Sequence, residues 1–189
     1  ERMTLATAWG YKKHIIIKKR FESGIEFFQG ETLQETDLNE ITISYSDNWA
    51  YDYLGEVVPF EQLHVVTQAA GMHWCNHHFR NGHRSTENVI KGFNCIVIDV
   101  DSGIPLSTAH ELLAGYKFMT YTTKRHQTEG YGDRYRIIIP INYRLELDTD
   151  DYREFMNNVF AWLPFDEPTD EAANQIAKKW ESFDGGTYH

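Results

Sequence analysis

The run Phe93-Asn94-Cys95-Ile96-Val97-Ile98-Asp99-Val100-Asp101-Ser102-Gly103 constrains this chain more than any other stretch. It is apolar, rich in Val and Ile, and too short for a typical helix, so it predicts a buried β-strand. Gly103 and Pro105 end the element. Side chains alternate across a strand, so Asp99 and Asp101 share a face. Two neighbouring carboxylates repel unless positive charge sits close. A divalent cation is the usual answer, and hard oxygen ligands suit Mg²⁺ or Mn²⁺. The plainer alternative is a solvated strand end, where acidic residues are common.

With 189 residues the chain can be one large domain or two small ones. No apolar run is long enough to span a bilayer, and no signal-peptide pattern is present. The first residue, Glu1, and the closing Gly185-Gly186-Thr187-Tyr188-His189 read as the ends of a piece cut from a longer protein, the latter as a loop. Two cysteines, Cys75 and Cys95, suggest no disulfide framework, and a reduced cytosolic setting is the simpler inference. A net charge of −10 argues against a protein that coats nucleic acid. It leaves room for an enzyme with a local basic groove.

Ahead of the acidic strand, His14-Ile15-Ile16-Ile17-Lys18 and Glu40-Ile41-Thr42-Ile43-Ser44-Tyr45 have strand character. Lys12, Lys13, Lys18, Lys19 and Arg20 cluster around the first, either as a protected edge strand or as a nucleic-acid contact. Residues 59–70 predict a helix with Phe60, Leu63, Val66 and Thr67 on one side and Gly71 as its stop. The stretch from His73 to Arg84 holds His73, Cys75, His77, His78 and His83, but their spacing fits no closed zinc pattern. No structural zinc is expected, and the stretch reads as a polar loop or strand beside the active site. Arg80 and Arg84 are candidate phosphate or nucleic-acid contacts.

After Asp101, Ser107 predicts a cap on a helix running through Leu113 to Gly115. Tyr116 to Thr122 predicts a strand, and residues 122–126 a polar turn ending at His126. The next strand, Arg134-Tyr135-Arg136-Ile137-Ile138-Ile139-Pro140, places Arg134 and Arg136 on one face. Those arginines are either solvent-facing or gathered with the acids around a nucleotide–metal complex. Residues 149–162 predict a helix capped by Thr149, with Phe155, Val159 and Trp162 as a core stripe. Thr169-Asp170-Glu171 predicts another helix through Lys179, with Ala172, Ala173, Ile176 and Trp180 on its buried side. Asp166 is either a third metal ligand or a helix-entry carboxylate. From residue 93 the order is strand, helix, strand, strand, helix, a unit of the split βαβ kind.

Together these motifs resemble the archaeo-eukaryotic primase superfamily, in its phage and plasmid primase–polymerase branch. The carriers are the strand ending in Asp99 and Asp101, the turn ending at His126, the pair Phe165-Asp166, and the Arg-x-Arg strand from Arg134 to Pro140. The approach from Arg84 through Gly92 is also similar. The likeness covers about residues 80–183. Lys124 departs from the small residue usual at its place, and Asn174-Gln175 stand where many relatives have an arginine.

The resemblance implies an α+β (mixed α/β) fold: an RRM-like catalytic sheet over residues 93–189 packed with an N-terminal αβ module over residues 1–92, one catalytic domain of a longer replication protein. It implies a DNA primase/polymerase that transfers nucleotides on a single-stranded DNA template. Asp99, Asp101 and Asp166 would hold two Mg²⁺ or Mn²⁺ ions. His126 and Arg136 would bind the NTP or dNTP triphosphate, with Arg134 or Lys124 assisting. A helicase domain or protein is the expected partner, no membrane is, and a cytoplasmic phage- or plasmid-encoded setting follows. The rivals are a metal-dependent nuclease or phosphatase, which uses the same carboxylates, and a catalytically inactive RRM-like module that binds single-stranded nucleic acid.

Overall fold

The computed structural model describes residues 34–164 and 171–189. The fold is α+β, with antiparallel sheets and few helices. Sheet one joins β1 (Ile41–Ser46), β2 (Leu54–Val58), β3 (His73–Cys75) and β9 (Trp180–Glu181) in the order β2-β1-β3-β9. A short ribbon pairs β4 (His78–Phe79) with β5 (Val89–Ile90). Sheet two joins β6 (Phe93–Val100), β7 (Met119–Thr122) and β8 (Tyr135–Leu145) in the order β6-β8-β7. Helix α1 (Leu63–Thr67) follows β2, α2 (Leu106–Leu113) links β6 to β7, and α3 (Thr149–Trp162) follows β8. Both β6 and β7 run antiparallel to β8, so they are parallel to each other with β8 between them. This is the split strand–helix–strand order expected from residue 93 onward.

Every residue of β6 is buried, because both faces of sheet two are covered. On one face Ile96, Ile98, Ile137 and Ile139 pack with Ala109 and Leu113 of α2 and with Tyr152, Phe155 and Val159 of α3. On the other, Cys95, Val97, Tyr121 and Ile138 meet Ile41, Ile43, Trp74 and Trp180 of sheet one. Sheet two is thus the middle of three layers. Polar stitches close the gap between the sheets. At a register shift in β6, Asn94 turns its amide toward β1, accepting from Thr42 N at 2.9 Å and donating to Glu40 O. Asn76 Nδ2 donates to Cys95 O at 2.9 Å.

Several local expectations need correction. The helix over 59–70 is only a 3₁₀ turn (Phe60–Gln62) and the five-residue α1, although Phe60, Leu63, Val66 and Thr67 do form its buried side. Val65, Val66 and Thr67 are β-branched and propagate a helix poorly. Thr67 O, moreover, accepts from Phe183 N at 2.9 Å instead of from the next turn. Asp148, not Thr149, caps α3, accepting from Asp151 N at 3.0 Å. Ser107 does not cap α2; Asp133 reaches over from the β7–β8 loop and accepts from Leu106 N at 2.8 Å.

The strand expected from Tyr116 begins at Met119. Of the helix expected through Lys179, the described part is a 3₁₀ turn (Glu171–Asn174). Trp180 is drawn instead into strand pairing with Trp74, while Ala177 O is taken by Arg84 Nη1 at 2.7 Å. Residues 187–189, expected as a loop, lie along the free edge of β7, where Thr120 and His189 exchange two backbone hydrogen bonds of 2.9 Å. The strand at His14–Lys18, the basic cluster around it, Thr169 and Asp170 lie outside the described residues. Among the described residues no helix is long and apolar enough to cross a membrane.

His77 is fully buried between Phe93 and Tyr152. Its Nδ1 bonds Asn76 Oδ1 at 3.2 Å, and its Nε2 has no hydrogen-bond partner among the described residues. Burial pushes its pKa down to about 3. In the unfolded chain it titrates near 6.5, so between about pH 6.5 and 3 the unfolded state binds the extra proton. Its contribution is fully present above the unfolded value and declines as pH falls toward the folded one. Unfolding free energy measured against pH is expected to drop by up to ~1.4 kcal/mol per pH unit in that window from this residue. His77→Phe should remove that part of the slope, and an unchanged slope would contradict the assignment.

Candidate functional site

The acidic pair sits where β6 runs out. Asp99 follows Cys95 and Val97 on the face turned toward sheet one, away from α2 and α3. Directly across the ladder from Asp99 is Arg136. Arg136 Nε donates to Asp99 Oδ1 at 2.9 Å, and the two side chains are only 13% and 9% exposed. One step further out, Arg134 Nη1 donates to Asp101 Oδ1 at 3.0 Å, with Asp101 still 44% exposed. The two acids and two arginines thus form two rungs at one end of sheet two, the inner one dry and the outer one wet.

Arg136 does more than pair with an acid. Its Nη1 donates to Tyr121 Oη at 3.0 Å and to Glu181 O at 2.7 Å, and its guanidinium lies 5.3 Å from the Trp180 ring centroid. Burial works against its charge, but Tyr121 and Asp99 together hold its pKa above the ordinary arginine value. Burial pushes the Asp99 carboxyl upward, Arg136 pulls it back down, and Asp101 adds to the rise. The guanidinium stays charged.

The loop from Thr123 to Arg134 folds around the outer rung. Thr123 N donates to Arg134 O at 3.0 Å, and Arg134 N donates to His126 Nδ1 at 3.1 Å. That second bond makes Nδ1 the acceptor, so the neutral ring carries its proton on Nε2. His126 borders a cleft of about 370 Å³ whose other walls include Leu106, His110, Asp133 and His189. Lys124 is exposed on the same loop. The Tyr131 ring, 4.6 Å from the Arg134 guanidinium, supports it from the far side.

Of the residues singled out in the sequence, the fold brings together Asp99, Asp101, Arg134 and Arg136, with His126 and Lys124 on the adjoining loop. Asp166 lies outside the described residues. Arg80 is exposed and donates to Glu87 O at 3.1 Å. Arg84 is committed to the fold, donating to Trp49 O at 3.0 Å and Ala177 O at 2.7 Å. Sequence reasoning missed Tyr121, Trp180 and the Glu181 carbonyl, which complete the Arg136 cage. Tyr121 lies one residue from the end of a predicted strand run, on the face opposite Thr120 and Thr122, but only the register of β7 on β8 puts it against Arg136.

A divalent cation is implied by the resemblance, and the donor chemistry fits one in part. Asp99 and Asp101 are hard oxygen donors sharing a face, and Asp101 is open to solvent. Against this, the arginines already supply the positive charge that the sequence argument gave to a metal. The fit therefore rests on donor type and shared face, not on electrostatic need. Among the described residues no group of three or more His, Cys, Asp or Glu is placed to hold an ion. The histidines of 73–83 scatter: His77 enters the core, His78 bonds Glu56 O, and His83 stacks on Tyr51.

Truncating Arg136 would strand the buried Asp99 carboxylate and the Tyr121 hydroxyl. Arg136→Ala is expected to cost about 3–5 kcal/mol in denaturant unfolding. Asp99→Asn in the same background should recover part of that loss. A loss below about 1 kcal/mol would show that the inner rung does not hold the two sheets.

Comparison with protein-family models, with curated proteins and with solved structures gives no match.

Proposed function

We propose that this chain catalyses template-directed nucleotidyl transfer, as the primase–polymerase resemblance implies, on an RRM-like sheet packed with an N-terminal αβ module. The observation that carries the reading is the clustering of Asp99, Asp101, Arg134 and Arg136 at one sheet end, on the face away from the helices. The strand order β6-β8-β7 with α2 as the crossover supports the RRM-like part.

In this reading Asp99, Asp101 and Asp166 hold Mg²⁺ or Mn²⁺, which when bound would activate the primer hydroxyl and neutralise charge on the leaving pyrophosphate. The residues of the chain divide the remaining work. Arg136 is saturated by Asp99, Tyr121 and Glu181, so it positions Asp99 rather than gripping phosphate. Arg134 has only one carboxylate partner and sits at the wet rung, so its fork suits the triphosphate. Lys124 adds a mobile point charge and His126 Nε2–H a hydrogen-bond donor beside it.

One observation favours a second reading. The acids are neutralised by arginines without any metal, as they would be in a module that only binds single strands. Activity separates the two. Nucleotide incorporation is measured on single-stranded template, with and without annealed primer, with dNTPs or NTPs and Mg²⁺ or Mn²⁺. Template-directed products are expected, and Asp101→Asn, at an exposed position, should abolish them while leaving the melting temperature unchanged. Full product formation by Asp101→Asn would remove the catalytic reading, and shortened template in place of growth would indicate a nuclease.

A further inference from the structure

The loop over residues 123–134 is held by its own backbone. His126 N donates to Thr123 O at 2.9 Å, Tyr131 N to Thr128 O at 2.9 Å and Gln127 N to Gly132 O at 3.0 Å. Thr128 Oγ1 donates to Arg125 O at 3.1 Å. The bonds from Thr123 N to Arg134 O and from Arg134 N to His126 Nδ1 close the loop at the outer rung. Side chains on this frame start from fixed positions.

Among the described residues Arg125 is the one arginine whose side chain makes no hydrogen bond or ion pair. It is exposed, and its guanidinium lies 5.5 Å from the centroid of the Tyr131 ring. The Arg134 guanidinium lies 4.6 Å from the same centroid, so one half-open ring gathers two like charges. A guanidinium resting on an aromatic ring has lost part of its rotamer freedom, yet the N–H groups in its plane stay free for an anion. Asp133 is committed to Leu106 N and Gln127 Nε2, at 2.8 and 2.9 Å. That leaves the exposed Glu129 as the loop's remaining acid against Lys124, Arg125 and Arg134. In a chain of net charge −10 this excess of positive charge is local.

We propose that Arg125 binds the terminal phosphate of a nucleoside triphosphate, and that Tyr131 is the positioning residue that keeps Arg125 beside Arg134. The inference rests on the proposed function and deepens it. Nucleotidyl transfer takes place at the α-phosphate, which belongs at Asp99 and Asp101. The β- and γ-phosphates then lead away from the acids. They pass Arg134, which touches Asp101, and next Arg125, which shares the Tyr131 ring and is open to solvent. A guanidinium fork matches two phosphate oxygens. Arg125 thereby lets the site count phosphates: a diphosphate reaches Arg134 and falls short of Arg125.

The test is calorimetric titration of dATP and of dADP into the full chain in Mn²⁺. The wild type is expected to prefer dATP. Arg125→Gln should weaken dATP binding about tenfold and leave dADP binding unchanged. Tyr131→Leu, which removes no charge, should show the same selective loss, and Tyr131→Phe should keep the wild-type preference. Because both side chains are exposed, melting temperatures should hold in all variants. Unchanged dATP binding in Arg125→Gln, or an equal loss for both nucleotides, would overturn the proposal and leave the catalytic reading standing. A selective loss in Arg125→Gln with none in Tyr131→Leu would overturn the role given to Tyr131. Selective dATP binding without nucleotide incorporation would sink only the catalytic reading. No binding of either nucleotide by the wild type would overturn both.

Discussion

The Arg136 guanidinium is the joint on which the molecule turns. It stands on β8, pairs with Asp99 on β6, accepts support from Tyr121 on β7 and reaches the backbone of β9 at Glu181. One side chain therefore joins every strand of sheet two to the last strand of sheet one. A buried ion pair is weak evidence for net stability, because desolvation offsets most of the attraction. What it supplies is position: the Asp99 carboxylate has a fixed orientation at the end of a strand that is otherwise apolar.

That arrangement follows from the three layers. While β6 is covered by helices on one side and sheet one on the other, its residues must be apolar, and they are from Cys95 to Ile98. Where the cover ends, charge is tolerated in two steps. Asp99 is still nearly dry and needs Arg136 at hydrogen-bond distance. Asp101 is wet, 44% exposed, and pairs with an Arg134 that is itself 20% exposed. A gradient from dry to wet across two rungs gives one carboxylate that is held and one that is available. A site that must grip and release a charged substrate needs both.

Much of this could be read from the residues. The period of two in Phe93–Asp101 and Arg134–Ile139 fixes which side chains share a face, and the fold keeps both assignments. The apolar stripe of α3 was equally plain, since Phe155 and Val159 recur at helical spacing. What failed were features decided by distant partners. Asp133 caps α2 from another loop, and Phe183 takes the carbonyl that would have prolonged α1. Trp180 sits in a helix-like stretch yet joins a sheet, because Trp74 offers it an edge. Asn94 stands in an otherwise apolar run, and only the position of β1 makes it the stitch between the sheets. The acids' positive partners were assigned to a metal because the sequence shows only that Arg134 and Arg136 share a face, not that the register sets them against Asp101 and Asp99.

The central claim is that the outer rung is a cation-dependent triphosphate site, and calorimetric titration of a dNTP tests it most directly. The account predicts binding in Mn²⁺ that disappears with EDTA and in Asp101→Asn, and that weakens in Arg134→Ala. Binding that is the same with and without Mn²⁺ and indifferent to Asp101 would contradict it.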